Sequence, residues 1–287
     1  MRTRGLLALT LAATTGVAIA VPPYSSARAT PPAAAAVSDP PTVPTLAPMR
    51  DGFKWGITHT AVVEAFNKLG GIFDQDYDPL LRKAQPGIQQ QSLEADRDNK
   101  KASLDGSWTR FVTPSGYDAT GIHGEYTYKN NESILAVERQ GKKRYFFFMG
   151  SNPGERLWKI YDEIPLTAHG PMGKSFADAV NGIQGVIGVA GRVRPADPAS
   201  GLEFTTVDWQ DGQTHLRVLD RSASKVVGVV LEERSTLNAL PQLRSNKAED
   251  PMAIDPSISA ATRSDISDPN HPGAAPASSA KPGSKKK

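Results

Sequence analysis

Cysteine is missing altogether from this chain of 287 residues. Its absence excludes a disulfide framework, a thiol nucleophile, a thiolate zinc site and a lipid-modified N-terminal Cys. Long hydrophobic runs are scarce too, and 22% charged with 39% hydrophobic residues is a globular composition, so a polytopic membrane protein is excluded. An excess of one charge is also lacking. Lys and Arg number 33 against 30 acidic residues, and removal of Arg2 and Arg4 with a leader leaves 31. No argument for nucleic-acid binding can rest on so small a difference.

What is there begins with an address. Met1-Arg-Thr-Arg-Gly is a short basic start, and Leu6 to Ala20 is an uncharged run of fifteen residues. Ala18-Ile19-Ala20 or Ala27-Arg28-Ala29 offers a small-x-small cleavage site. The pattern predicts a secretory signal peptide over residues 1–29 and an exported protein, periplasmic or secreted. The run is shorter than the ~20 residues that span a bilayer, which weighs against a membrane anchor. Residues 30–50, rich in Pro and Ala, read as an extended linker, and 245–287 as a disordered tail. The tail ends in Lys285-Lys286-Lys287, suited at most to weak contact with an anionic envelope surface.

Between these ends, roughly Asp51 to Arg244, the chain resembles itself twice. At an offset of 117 residues, Gly56-Ile57-Thr58 and Gly173-Lys174-Ser175 each open an apolar-periodic stretch behind a hydroxyl residue suited to N-capping. At an offset of 81, Tyr128 to Val137 falls on Trp209 to Val218, and Arg144 to Met149 on Lys225 to Val230. Both copies read as strand, turn, strand, turn, strand, with Asn130-Asn131 and Asp211-Gly212 as hairpin turns that need positive φ. The offsets differ by 36 residues, a surplus that lies between Gly71 and Gly124 and includes a polar helical arm from Asp78 to Lys101.

The fold class expected is therefore α+β, as two tandem units of short helices packed on an antiparallel meander. The first covers residues 51–165 with a helical insert at 72–124, the second 166–244. The alternating run Arg156 to Ile164 should close the first unit's sheet, with Pro165 ending it. Val63 and Val180 are expected to be buried at equivalent places. One continuous sheet, parallel strands, or unrelated positions for Tyr128 and Trp209 would sink the tandem model.

A Gly-x-Thr/Ser helix start, a strand opening with Tyr or Trp, an Asx-Gly-type turn and a Val-rich strand together resemble the outer-membrane assembly lipoprotein domain of the BamE type. The two-copy form resembles the β-lactamase-inhibitor-protein fold. The similarity runs from about Phe53 to Glu233 and departs in lacking a Cys to lipidate and in carrying the insert. What it implies is a non-enzymatic binding or assembly module of the cell envelope, with a protein partner and no cofactor.

Candidate chemistry is thin. Ala168-His-Gly-Pro-Met-Gly-Lys174-Ser175 matches a permissive phosphate-loop pattern, with Val226 to Glu232 imitating the apolar strand that ends in an acid, and it carries the alternative reading of a nucleotide-binding enzyme. Against it, Ala168 stands where the first Gly belongs, Pro171 removes a backbone N–H, and Lys159, Asp162 and Glu163 interrupt the preceding strand. Asp74-Gln-Asp76-Tyr-Asp78 starts like a calcium loop but has Pro79 where Gly is needed. His59, His123, His169, His215 and His271 show no metal-ligand spacing, and no serine elbow appears. Asn131-Glu132-Ser133 fits a glycosylation acceptor.

What remains is aromatic surface. Strand alternation puts Tyr145, Phe147 and Met149 on one face and Phe146 and Phe148 on the other. Helices cover only one of these faces; left exposed, the other is a partner-binding patch drawn from Tyr126, Tyr128, Tyr145, Phe147, Trp158, Tyr161 and Trp209, and the alternative is that the insert or the second unit buries it.

Overall fold

The computed structural model describes residues 39–113, 122, 124–151 and 153–246. The predicted signal peptide, the first part of the linker, most of the tail, His123 and His271 lie outside the described residues. The elements are α1 (His59–Asn67), α2 (Ile72–Lys83), α3 (Ile88–Gly106), β1 (Thr109–Arg110), β2 (Glu132–Arg139), β3 (Lys142–Met149), β4 (Arg156–Pro165), α4 (Phe176–Ile187), β5 (Arg192–Arg194), β6 (Thr206–Gln210), β7 (Thr214–Arg221), β8 (Val226–Glu233) and α5 (Arg234–Leu243). The class is α+β, as expected, and none of the described helices is long and apolar enough to cross a membrane.

The strands form one antiparallel sheet in the order β1-β2-β3-β4-β8-β7-β6-β5. Separate sheets were expected, and β4 is why they merge. It pairs with β3 on one side and with β8 on the other, Tyr161 opposite Val230 and Ile164 opposite Val227. Its apolar side chains are buried on both faces, so it sits at the centre of the sheet and closes no edge. The offset of 81 fails as well. It would equate β2 with β7, which stand second and third from opposite edges. Tyr128 lies in a bend, whereas Trp209 lies within β6. Among the described residues 124–130 no strand precedes Asn131, and β1 pairs with β2 instead, Thr109 opposite Ile134.

Local chemistry explains most of the turns. Gln140 and Gly141 both have positive φ, the signature of a two-residue hairpin whose twist matches its strands. The β6–β7 hairpin works differently from expectation, because Gly212 is not among the positive-φ residues. There Asp211 Oδ1 accepts from the N–H groups of Gln213 and Thr214, at 2.7 and 2.6 Å. The two helix starts are as read: Thr58 Oγ1 accepts from Ala61 N and Ser175 Oγ from Asp178 N.

One face of the sheet, the near face, carries α1 to α4. Val62 and Phe66 of α1, Phe73 of α2, Leu104 of α3 and Ala179 and Ile183 of α4 pack on Phe146, Phe148, Leu157, Trp209, Leu216 and Val229. Val63 and Val180, expected in that core, are only partly buried. The insert is more than an arm, since Phe73, Tyr77 and Leu104 are buried. The linker boundary at residue 50 is also corrected. Residues 40–50 belong to the fold, with Val43 and Leu46 buried, Val43 N bonded to Gln210 O, and Leu46 N bonded to Asp211 Oδ2 at 2.5 Å. The other face, the far face, holds Phe111, Ile122, Tyr126, Ile134, Tyr145, Phe147, Met149, Trp158, Tyr161, Leu219 and Val230.

Candidate functional site

Six of the seven aromatics proposed for partner binding do come together, as core. Tyr145, Phe147, Trp158 and Tyr161 are each at most 1% exposed on the far face. The segment around Tyr126 folds over them, its ring stacked on Phe111 at 3.8 Å, with half-buried Tyr128 edge-on to both. Trp209 is separate: it is fully buried under the near face and its Nε1 donates to Val189 O at 2.9 Å. The predicted sticky patch is therefore closed by Phe111, Ile122, Tyr126 and Leu240.

Beside this aromatic half the far face changes character. The register sets two rows of residues across it: Lys159, Glu232 and His215 stand opposite one another on β4, β8 and β7, and Arg192, Asp208 and Arg217 on β5, β6 and β7. Alternating signs on neighbouring strands make these rows attractive. Arg192 clasps Asp208 with two bonds of 2.9 and 2.5 Å. His215 bridges Asp208 and Glu232, at 3.3 and 3.1 Å. Arg217 holds Glu232 by two bonds of 3.0 and 2.7 Å and reaches Glu125 at 2.8 Å. Lys159, 2% exposed, donates to the carboxylate of Glu125 at 2.9 Å and to its carbonyl, and lies 4.4 Å from the Phe147 ring.

Charge states follow from this geometry. Burial opposes ionisation of Glu125, but Arg217 and Lys159 outweigh it and hold its carboxyl down at about 2. Glu232 is likewise held below the usual range, burial being overcome by Arg217 and His215. Burial works against the charged imidazole of His215, and hydrogen bonds to Asp208 and Glu232 raise its pKa in spite of it. Burial lowers the pKa of Lys159, against the pull of Glu125 and Glu232.

A second group flanks the first. Arg221 pairs with Glu163 and donates to Tyr161 Oη at 2.8 Å, while Tyr145 Oη donates to Glu163 at 3.3 Å. Burial pushes Tyr161 up to about 12 and Tyr145 further, so both phenols stay protonated at ordinary pH. Gly228 on β8 gives the Tyr161 ring its place, since a Cβ there would stand 2.8 Å from it. Tyr161 and Arg221 border a cavity of about 290 Å³ with Phe204, Leu219 and Glu125. Arg244 pairs with Glu132 at 2.8 Å, and Asn246 bonds Asn130.

The other sequence candidates are taken up by structural roles. Asp74 and Asp76 sit in α2, paired with Lys101 and Arg139. No cluster of three or more metal-ligating side chains occurs among the described residues. Lys174 is exposed at the start of α4 with its N–H bonded to Asp178, and the strand before it is antiparallel to its neighbours. Neither feature belongs to a phosphate loop. His169 lies in a turn on the surface. His59 is buried against Glu155 at 2.5 Å and stacked on Trp108 at 3.9 Å, on the near face.

The charged rows were missed by sequence reasoning. The sequence places Lys159 in an alternating strand, Glu232 at the end of an apolar one and His215 among scattered histidines, with nothing to join them. The available signal was charge at alternate positions within apolar strands, at Lys159 and Glu163, and at His215 and Arg217. No protein-family model, curated protein or solved structure matches this chain.

Proposed function

We propose that this chain is an exported, non-enzymatic binding or assembly module whose partner is a protein of the cell envelope, recognised by the far face over β5 to β8. The observation that carries this reading is the paired state of that face. Arg192, His215, Arg217 and Arg221 remain partly exposed while the carboxylates of Asp208, Glu232 and Glu163 fix their positions. Positioned Arg and His side chains are suited to recognising a polar partner, because little side-chain freedom is lost on docking. They are poorly suited to catalysis, which needs a base free to take a proton.

The same reading keeps the duplication in amended form. One copy is α1 with β2 to β4 and the other α4 with β6 to β8, meeting along β4 and β8. Matching hydroxyl caps at Thr58 and Ser175 support it, as does the mirrored strand order about that seam. The basic tail would add only weak contact with the envelope surface.

The test is capture from an envelope fraction by the immobilised mature chain, followed by chemical cross-linking and mapping of the linked peptides. Links concentrated on β5 to β8 of the far face are expected. Links confined to α1–α4, or none above those of a denatured control, would reject the proposal.

A further inference from the structure

A cavity of about 610 Å³ lies away from the charged rows. It is lined by Arg50, Lys54, Trp55, Gln213, Glu233 and Ser235, and its volume falls in the range of small-molecule sites. Three observations give it a chemistry.

First, its two cations have no acid partner. Arg139, Arg144, Arg217 and Arg244 each hold a carboxylate. Arg50 and Lys54 form no ion pair among the described residues, although Glu233 lines the same cavity. The Glu233 carboxylate is instead turned back on its own helix, accepting from Thr236 Oγ1 at 2.5 Å. Second, Arg50 is held for use. Its guanidinium lies 5.2 Å over the Trp55 ring, and Trp55 is fixed by Nε1 donating to Thr214 Oγ1 at 3.1 Å. Arg50 Nε is buried with no acceptor among the described residues. A ligand oxyanion taking Nε and a terminal amino group together, the side-on bidentate geometry, would satisfy it. Third, α5 begins at the cavity with no side-chain hydrogen bond to its first-turn N–H groups.

We propose that this cavity binds a small organic oxyanion, a carboxylate or phosphate held by Arg50 and Lys54, with its apolar part against Trp55. The site stands apart from the partner-binding face, and neither proposal depends on the other.

The test is a titration of the full mature chain, ¹⁵N-labelled, with inorganic phosphate and separately with acetate, against chloride at equal ionic strength. The readout is the Trp55 indole N–H resonance, assigned with Trp55→Phe. Expected is a saturable shift with at least one oxyanion and none with chloride. Phosphate alone would assign a phosphoryl group, acetate alone a carboxyl group, and both an oxyanion site that takes either. Lys54→Ala, a change at an exposed residue, should weaken binding about tenfold, equivalent to about 1.4 kcal/mol. Lys174→Ala, an exposed cation at another helix start, should bind as the parent does. No saturable shift with either oxyanion, or unchanged affinity in Lys54→Ala, would overturn the proposal. Arg50→Gln adds a second check where it folds, and Lys54→Ala decides alone where it does not.

Discussion

The far face is two surfaces on one sheet. Over β2 to β4 it is aromatic and dry, with Tyr145, Phe147, Trp158 and Tyr161 capped by Phe111 and Tyr126. Over β5 to β8 it is ionic, with Arg192, Asp208, His215, Arg217 and Glu232 in register-matched rows. The boundary falls at Lys159, whose stem and ammonium lie against Phe147 and Trp158 while its charge faces Glu125. Aromatic burial is non-directional and tolerates many neighbours, whereas buried charges demand named partners at named distances. The aromatic half therefore accounts for stability and the ionic half for specificity of arrangement.

Removing the largest ring should have the largest effect. Trp158→Ala deletes a side chain 1% exposed that packs against Lys159 and Arg244, and is expected to destabilise by about 3–5 kcal/mol in denaturant unfolding. A loss below 1 kcal/mol would mean that the aromatic half is not the stabilising one. Glu232→Ala strands Arg217 and His215, and breaking a buried pair in this way costs about 3–5 kcal/mol. The comparison sharpens with Glu232→Leu combined with Arg217→Met. An apolar replacement of both partners should recover much of that loss, since paired charges contribute little net stability. Failure to recover would show that Glu125, Lys159 and His215 depend on the pair.

The helix starts, the five strands β2, β3, β4, β7 and β8 and the stop at Pro165 were legible because caps, alternation and proline act locally. Sheet order was not, because alternation says which face a residue takes and nothing about which strand lies beside it. That is why a match at offset 81 looked convincing and yet paired β2 with the wrong counterpart. Residues 40–50 read as linker from their prolines, but Val43 and Leu46 sit among them and are held by Gln210 and Asp211, far off in sequence. The ionic rows were hidden for the same reason: Glu125 reaches Arg217 from a segment whose position no local pattern encodes.

Trimming tests that correction. A chain beginning at Asp51 loses Val43 and Leu46, two buried side chains worth about 1.5–3 kcal/mol each. Its melting temperature should fall by several degrees or more relative to a chain beginning at Asp39, and equal melting points would return these residues to the linker. pH separates the halves differently. Glu125 and Glu232 have lowered pKa values in the fold, so their contribution is present above the ordinary value of 4.5 and is lost as pH falls towards about 2. His215 has a raised pKa, so its contribution is complete below the ordinary 6.5 and is lost as pH rises through the raised folded value. Stability should therefore be greatest between these limits. In His215→Gln the alkaline decline above 6.5 should flatten while the acid limb remains, and an unchanged alkaline limb would remove His215 from the account.

The smallest effect belongs to Lys174. It is exposed at the start of α4, where a positive side chain meets the unfavourable end of the helix dipole, and the cap beside it is made by Ser175 and Asp178. Lys174→Ala should change stability by no more than about 0.5 kcal/mol, in either direction, because no buried contact or ion pair is removed. ATP should leave the melting temperature of parent and variant alike. A ligand that binds only the folded state at a hundred times its dissociation constant would raise stability by about 2.7 kcal/mol, well within reach of a thermal melt. A nucleotide-dependent rise in the parent that vanishes in Lys174→Ala would place a phosphate site on the near side of the sheet. It would also make the far face's fixed charges a scaffold for chemistry elsewhere, reversing the assignment of roles between the two surfaces.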